Sequence, residues 1–307
     1  MPYLFHSSIL NKFWIFIKKK FKIRSWEFLK AHIYRKLDKL IYHKKYNTKE
    51  LIHFLQKLGL KKGDTIFVHA SWDEFYNYNG NIKDFINALI EQVGPEGTIA
   101  MPSYPLLRKE SSVFDLHKTP TAAGLIAEEF RKYPSVLRSI NLHSVSALGP
   151  NAEFLTKDHR FSLTSWDEMS PYYRLGQINA KVLTFGLGNK FVGTIMHVAD
   201  SILRTKLPYF EQFFKKKLEV TFRLQDTSLV KTEILTQDDN FKLYFTNAHH
   251  SRIINKYYSK EKFKRTLFSN LTINQYDAKY FINRSIELAY KGIVVYILPN
   301  PKKYFKN

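Results

Sequence analysis

The chain has 307 residues, of which 44% are hydrophobic and 16% aromatic, and this supplies enough apolar side chain for one large core. It contains no cysteine, which excludes disulfides, thiolate zinc sites and an acyl-cysteine intermediate. The formal net charge is +21, and about half of this excess lies in residues 1–46. Such a charge favours anionic partners, namely a phospholipid surface, nucleic acid or phosphorylated small molecules, and disfavours a polycationic substrate.

The N-terminal segment is basic and aromatic. No apolar run in the chain approaches the roughly 18–20 residues that a membrane span needs, and the lysines follow the FWIFI run rather than precede it, unlike a signal peptide. We therefore expect a cytoplasmic protein. Residues 3–46 approximate an apolar stripe at helical spacing beside lysines, which fits either an amphipathic segment on the inner face of an anionic membrane or a helical extension packed on the following domain. Nucleic-acid binding is disfavoured because no recognised nucleic-acid module follows.

Helices and strands alternate from residue 47 onward, where we place the start of a single domain, 47–307. Asn47 and Thr48 can cap the first helix, and Gly59 closes it. Alternating elements predict an α/β sandwich built on a largely parallel sheet. The predicted helices are 48–58, 81–93 and 121–133, and the predicted strands are 65–68, 98–101 and 182–185.

The pattern changes from residue 206. Short runs typical of antiparallel strands occur at 218–224, 230–235 and 242–246, followed by a helix at 276–290 and a late strand, GIVVYIL, at 292–298. We interpret residues 206–275 as a β-rich excursion from the main domain, with a return to the main sheet, rather than as an independent domain.

The stretch VLTFGLGNKFVGTIMHVAD, residues 182–200, holds the principal candidate site. A buried strand leads through a glycine-containing turn to Thr194, a good N-cap, and then to a helix. This places His197 in the first helical turn, where the positive end of the helix dipole favours its neutral, proton-accepting form. Asp200 lies three residues on along the same face and can orient the ring. The alternative is a packed histidine on a short apolar helix.

Polar residues and glycines gather at the predicted strand ends. In parallel sheets ligands bind beyond the carboxyl ends of the strands. The turn sequence GLGNKFVG has neither the GxGxxG nor the GK[ST] pattern, so it indicates no nucleotide motif. The candidate cofactor-binding residues at these ends are His69, Ser71, Ser103, Gly186 and Gly188.

A series of motifs resembles the aminoglycoside 3-N-acetyltransferase family. The motifs are GDTIFVHAS, VGPEGTIAMPSY, FD…TPTAAGLIAEEFR, RSINLHSVSALGP, the pair SP, VLTFGLGN, TIMHVAD and KLPY, in this order over residues 50–210. The ordered set is specific, although no single motif is decisive. The resemblance implies a three-layer α/β/α fold and acetyl transfer from acetyl-CoA to an amine of an amino sugar. It also implies that His197 is the general base, with Asp200 where the family usually has glutamate.

The resemblance further implies substrate-binding positions. Glu110 is the nearest match to an acidic residue that contacts the substrate amine in some relatives, and a downstream acid falls at Asp238 or Asp239. The family motif RSxHPxHS reads RSINLHS here, so the first histidine and the proline are lost while His143 stays. His143 then either helps to orient substrate or thioester, or is a structural histidine.

The chemistry follows from these residues. An ammonium must lose a proton before it can attack a thioester, and a neutral His197 can take that proton. The carbonyl oxygen then needs donors, which backbone N–H groups or the hydroxyls of Ser71 and Thr194 can supply. Without cysteine or a GxSxG elbow, direct attack of the amine on acyl-CoA is favoured over an acyl-enzyme. No metal is expected, because His249, His250 and His197 form no HExxH set.

The net charge of the chain favours some classes of acetyl acceptor over others. Because aminoglycosides are polycations and the chain carries +21, we expect a nucleotide- or lipid-linked amino sugar of surface-polysaccharide synthesis. Three alternatives remain open: an aminoglycoside 3-N-acetyltransferase proper, a non-catalytic or thioesterase-like relative, and a membrane-peripheral scaffold acting through residues 3–46.

Overall fold

The structure is a computed structural model that describes residues 36–107, 113–188, 193–224, 226–237 and 247–296. Among these residues, no helix combines the length and the apolar character that a bilayer crossing requires. The predicted strand at 242–246 and most of the basic N-terminal segment lie outside the described residues.

Ten strands with defined bounds form two sheets in the described part of the chain. They are β1 (Thr65–Ala70), β2 (Thr98–Pro102), β3 (Phe114–Asp115), β4 (Leu137–Arg138), β5 (Val145–Leu148), β6 (Lys181–Phe185), β7 (Lys216–Arg223), β8 (Leu229–Thr236), β9 (Phe263–Phe268) and β10 (Leu271–Asp277). The main sheet has the order β4-β5-β2-β1-β6-β10-β9, and the smaller one has the order β3-β7-β8.

The centre of the main sheet is parallel. Strand β1 pairs in parallel with β2 on one side and with β6 on the other, whereas β5, β4, β10 and β9 are joined by antiparallel pairing. The carboxyl ends of β1, β2 and β6 therefore lie at the same edge of the sheet. The strand-end candidates His69, Ser71, Ser103, Gly186 and Gly188 lie at or near this edge.

Helices cover both faces of the main sheet. Alternate residues of β1 separate the two cores, since Phe67 belongs to one apolar cluster while Ile66 and Val68 belong to the other. The helices that follow residue 47 are α1 (Thr48–Leu58), α2 (Ile82–Val93), α3 (Leu125–Phe130), α4 (Ala152–Thr156), α5 (Pro171–Gln177), α6 (Met196–Leu203), α7 (Pro208–Phe213), α8 (Asn247–Tyr257) and α9 (Ala278–Tyr290). Helices α1 to α3 contribute to the second core and α4 to α9 to the first. The predicted α/β/α sandwich on a mixed sheet is confirmed.

Local signals set the ends of the first two helices. The side chain of Asn47 caps α1 through a reciprocal bond with Glu50, and Gly59 ends it with a φ of 102°. The third predicted helix, 121–133, is wrong in its first turn. Thr121 instead accepts from the N–H of Ala123 and donates to the carbonyl of Tyr104, so the helix begins only after Gly124.

The C-terminal third departs from the sequence prediction at its end. Strands β7 and β8 form the predicted antiparallel pair, but they join β3 in the smaller sheet. The late strand predicted at 292–298 is wrong over its described part, 292–296, which has no strand. The return to the main sheet is made by the unpredicted hairpin β9–β10, whose second strand pairs with β6. The apolar character of the late segment reflects burial of Val294 and Tyr296 in the first core.

The turn after β6 provides a matched test of close packing. Gly186 and Gly188 have nearly the same φ, 70° and 71°. A Cβ on Gly186 would clash with Cβ of Glu74, whereas one on Gly188 would meet nothing within 4 Å. We expect Gly186→Ala to lower the free energy of unfolding by ~1–3 kcal/mol more than Gly188→Ala. Both alanines would suffer the same strain from a positive φ, but only the one at position 186 would also clash with Glu74. Urea unfolding of both variants measures the difference, and equal losses would contradict the close approach.

Candidate functional site

His197 and Asp200 form a hydrogen-bonded pair on α6. Nδ1 of His197 lies 2.9 Å from Oδ2 of Asp200. The Asp200 side chain is 6% exposed and that of His197 is 18% exposed, so the carboxylate is buried while part of the imidazole faces outward. Because a carboxylate only accepts, Nδ1 carries a proton, and in the neutral tautomer Nε2 then holds the lone pair. The pair thus presents the tautomer that a general base needs.

The start of α6 differs from the prediction. Thr194 does not cap the helix with its side chain: the cap position is Ile195, which makes no side-chain cap bond. The hydroxyl of Thr194 lies instead 3.4 Å from that of Tyr104, while its carbonyl accepts from the N–H of His197 at 3.1 Å. The turn before the helix is therefore closed by a backbone hydrogen bond, and the Thr194 hydroxyl is left in contact with Tyr104, which follows β2.

Two further polar groups surround the imidazole. The hydroxyl of Tyr296 is 2.5 Å from Oδ2 of Asp200 and 3.3 Å from Nδ1 of His197. The amide nitrogen of Gln237 is 2.9 Å from Nδ1 and 3.4 Å from Nε2; because Nδ1 already donates to Asp200, this amide can donate only to Nε2. Groups from three separate segments thus converge on one ring.

A row of aromatic rings forms the wall of the site. The ring of Trp166 lies between those of His143 and His197, with centroid distances of 4.1 and 4.8 Å. Tyr104 contacts the other side of His143 at 5.6 Å. Trp166 is buried. These tilted and edge-on rings pack against one side of His197 and bring His143 into the same site.

A buried polar network holds the two loops that carry this stack. Nε2 of His159 donates to the carbonyl of Ser165 at 3.1 Å, so Nδ1 accepts from the hydroxyl of Ser139 at 2.8 Å. Burial lowers the pKa of His159 to about 3, which keeps it neutral. Asn141 donates to the carbonyl of His159 and accepts from the N–H of His143 and from the hydroxyl of Ser165. The RSINLHS loop is thereby joined to the loop that precedes Trp166.

The candidate residues at the strand ends lie where the parallel pairing predicts, but they differ in burial. His69 is buried, and burial lowers its pKa to about 3. Ser103 is fully buried, and its carbonyl accepts from Arg138. Ser71 is partly exposed and follows β1 directly, and the carbonyl of Gly188 accepts from Asn274. A role for these residues and for Gly186 in binding the acyl donor stays a prediction.

The other candidate positions lie outside the described residues. These are Glu110, Asp238 and Asp239. Within the described ranges, no group of three or more histidine, aspartate or glutamate side chains is placed to hold a metal ion.

Sequence reasoning missed four residues of the site. Tyr104 is the last residue of the motif VGPEGTIAMPSY and Trp166 lies four residues before the SP pair, so an aromatic residue within or near a motif is the available signal. Gln237 directly precedes the predicted acid at Asp238. Tyr296 was assigned to a strand, and no local pattern indicated it.

A cleft with several cationic side chains borders the RSINLHS loop. It has a volume of about 520 Å³, and its lining includes Arg138, Lys157 and Arg160 together with the carboxylates of Asp158 and Asp226. Burial lowers the pKa of Arg138 to about 10, so its guanidinium remains charged at neutral pH. The lining also contains Ile140 of the RSINLHS loop and His159, whose ring bonds to Ser139 of the same loop. Cationic groups placed in this way suit the phosphates of a nucleotide.

Comparison with known sequences gives a consistent result. The family model described as aminoglycoside 3-N-acetyltransferase matches residues 67–287. The chain is 31% identical to aminoglycoside N(3)-acetyltransferase IV of Salmonella sp over 191 residues, which are 62% of this chain and 69% of that protein. It is also 31% identical, over 178 residues, to the SPbeta prophage-derived aminoglycoside N(3')-acetyltransferase-like protein YokD of Bacillus subtilis, covering 50% of this chain and 63% of that protein.

Solved structures share the fold. An aminoglycoside acetyltransferase described as AAC-IIIb binary with CoASH aligns with a TM-score of 0.70 at 23% identity, covering 82% of this chain and 98% of that one. A histidine-to-alanine mutant of AAC(3)-IVa in complex with a gentamicin aligns with a TM-score of 0.68 at 24% identity, covering 84% and 93%. Since the family model covers more than two thirds of the residues, the chain belongs to the aminoglycoside 3-N-acetyltransferase family, acyltransferases that use acetyl-CoA as acyl donor.

Proposed function

We propose that the chain transfers an acetyl group from acetyl-CoA to an amine of an aminoglycoside, with His197 as general base. The observation that carries the proposal is the His197–Asp200 pair. Nδ1 of His197 lies 2.9 Å from Oδ2 of Asp200, and part of the imidazole ring is exposed. The relatives named above support an aminoglycoside acceptor better than the nucleotide- or lipid-linked sugar that we expected from the net charge. Net charge sums the whole chain, including the basic N-terminal segment, and does not decide the potential at one site.

The proposed mechanism uses the tautomer of His197. Nε2 takes one proton from the ammonium, the free amine attacks the thioester carbonyl, and the attacking nitrogen then releases its second proton to solvent. Asp200 stabilises the imidazolium that forms. When the carbon–sulfur bond breaks, the amide is released and the imidazolium returns its proton to the CoA thiolate. Thr194, beside Tyr104, and the backbone N–H groups of the glycine turn are the proposed donors to the carbonyl oxygen.

Replacement of the base tests this mechanism. We expect His197→Ala to lower kcat for acetyl transfer to gentamicin by ~10²–10⁴-fold, because the proton on the amine has no acceptor. The exposed His53 provides a control, and His53→Ala is expected to keep full activity. Release of CoA from acetyl-CoA measures the rate. Near-native turnover of His197→Ala would contradict the mechanism, and rapid CoA release without an amine would favour the thioesterase alternative.

We propose that the basic cleft receives the phosphates of acetyl-CoA. Lys157 is exposed and Arg160 half-buried, so both are accessible to a ligand, and Arg138 adds a third positive charge at the floor. The cleft borders the RSINLHS loop, whose Asn141 and His143 lead directly to Trp166 and the base. A donor bound there by its phosphates has its acyl arm free to extend toward His197.

Charge reversal in the cleft tests the position of the donor. We expect Lys157→Glu and Arg160→Glu each to raise the KM for acetyl-CoA by ~5–30-fold, because a phosphate loses one cationic partner and meets an anion, while kcat at saturation stays the same. Lys49→Glu makes the same charge change at an exposed position on α1 and serves as the control. An unchanged KM in both cleft variants would place the phosphates elsewhere.

We also propose that the basic N-terminal segment contacts an anionic membrane. In its described part, residues 36–41 are helical, and Leu37, Leu40 and Ile41 expose 48%, 70% and 68% of their surface. Their i, i+3, i+4 spacing puts them on one face. Lys36 and Lys39 are exposed on the same short helix, which suits anionic lipid head groups.

Sedimentation with vesicles tests this contact. We expect the full chain to sediment with vesicles rich in phosphatidylserine at low salt, and the bound fraction to fall several-fold at ~0.5 M salt because the lysines are screened. The double variant Leu40→Glu/Ile41→Glu is expected to stay in the supernatant, whereas Lys49→Glu, with an equal charge change, sediments. Absence of sedimentation at low salt would refute the contact.

A further inference from the structure

We propose that Tyr296 is a positioning residue for the base: its hydroxyl donates to Asp200 and thereby holds the carboxylate in the orientation that keeps Nδ1 of His197 protonated. This inference rests on the proposed function. Tyr296 lies beyond residue 287, where the family model ends.

The contacts define the direction of each hydrogen bond. Oδ2 of Asp200 stands 2.9 Å from Nδ1 of His197 and 2.5 Å from the hydroxyl of Tyr296. A carboxylate oxygen can only accept, so both neighbours are donors. Two donors on the same oxygen from different directions fix the rotation of the carboxylate, which a single bond to His197 leaves free.

The phenol is a permanent donor at this position. Tyr296 is buried, and burial together with the negative charge of Asp200 raises its pKa well above the usual value. The hydroxyl therefore keeps its proton at neutral pH. A hydrogen bond from a neutral donor to a buried carboxylate is among the stronger kinds in proteins.

Packing holds the ring independently of this bond. The ring of Tyr296 contacts that of Phe213 on α7 at a centroid distance of 5.0 Å and that of Tyr209 at 6.1 Å. Two residues earlier, the carbonyl of Val294 accepts from Nε2 of His249 on α8 at 3.2 Å. The segment after α9 is thus anchored on both sides, and its tyrosine is directed at the catalytic pair by the core itself.

The appropriate substitution is one that removes the hydroxyl alone. Tyr296→Phe keeps the ring and its packing and removes only the donor. We expect kcat for acetyl transfer to fall by about tenfold with the KM for acetyl-CoA unchanged, because the carboxylate loses one of two restraints while the donor site stays intact. Tyr258→Phe is the matched control: it also removes a buried phenol hydroxyl, one that bonds to Ser285 rather than to Asp200.

A double-mutant cycle separates positioning from a general loss of packing. If Tyr296 acts through the carboxylate, Tyr296→Phe in the background of Asp200→Ala has no further effect on kcat. The proposal would be overturned if Tyr296→Phe lowered kcat in the Asp200→Ala background by the same factor as in the starting protein. It would also be overturned if the Tyr296→Phe enzyme had a kcat within twofold of that of the starting protein. Melting temperatures of all four proteins show whether a variant is folded.

A spectroscopic readout does not depend on activity. In the ¹⁵N spectrum of histidine-labelled protein, assigned with His197→Gln, we expect His197 to be the Nδ1–H tautomer and Tyr296→Phe to shift it toward a mixture of tautomers. If the protein acetylates no aminoglycoside, the proposed function fails, while this spectrum still decides the role of Tyr296. An identical His197 spectrum in both proteins would overturn the inference.

Discussion

The hydrogen bond between His197 and Asp200 is the interaction on which the rest of the site depends. It forms because the two residues stand three apart on α6, and it decides which ring nitrogen carries the proton. The surrounding structure supports this one bond. Trp166 packs against the ring, Tyr296 holds the carboxylate, and the buried Asn141 network holds the loop that carries Trp166. An imidazole held in this way is oriented before any substrate arrives.

Much of the fold and the central pair could be predicted because their signals are local. Asn47 and Gly59 mark the ends of α1 through side-chain and backbone geometry that a few neighbouring residues determine. The strand before the glycine turn is a continuous apolar run, as expected for a strand buried on both faces. His197 and Asp200 share one helix, so their spacing alone placed them on one face.

What could not be predicted depends on contacts between distant segments. Tyr296 reaches Asp200 across 96 residues, and Gln237 reaches His197 across 40, so no local pattern records either contact. The run GIVVYIL is apolar because it is buried, and periodicity cannot distinguish that cause from a strand. Thr194 has the residue type of an N-cap, but tertiary contact with Tyr104 takes its hydroxyl. Net charge is a weak guide to the acceptor, because a sum over the chain does not determine the charge at one site.

The most direct test of the central claim is the reactivity of the His197 ring. A neutral, partly exposed Nε2 should react with diethylpyrocarbonate, and mass spectrometry can follow the modification of this one histidine. We predict that acetyl transfer disappears in proportion to the modified fraction of His197, and that bound substrates slow both together. Full modification of His197 with transfer activity retained would contradict the account.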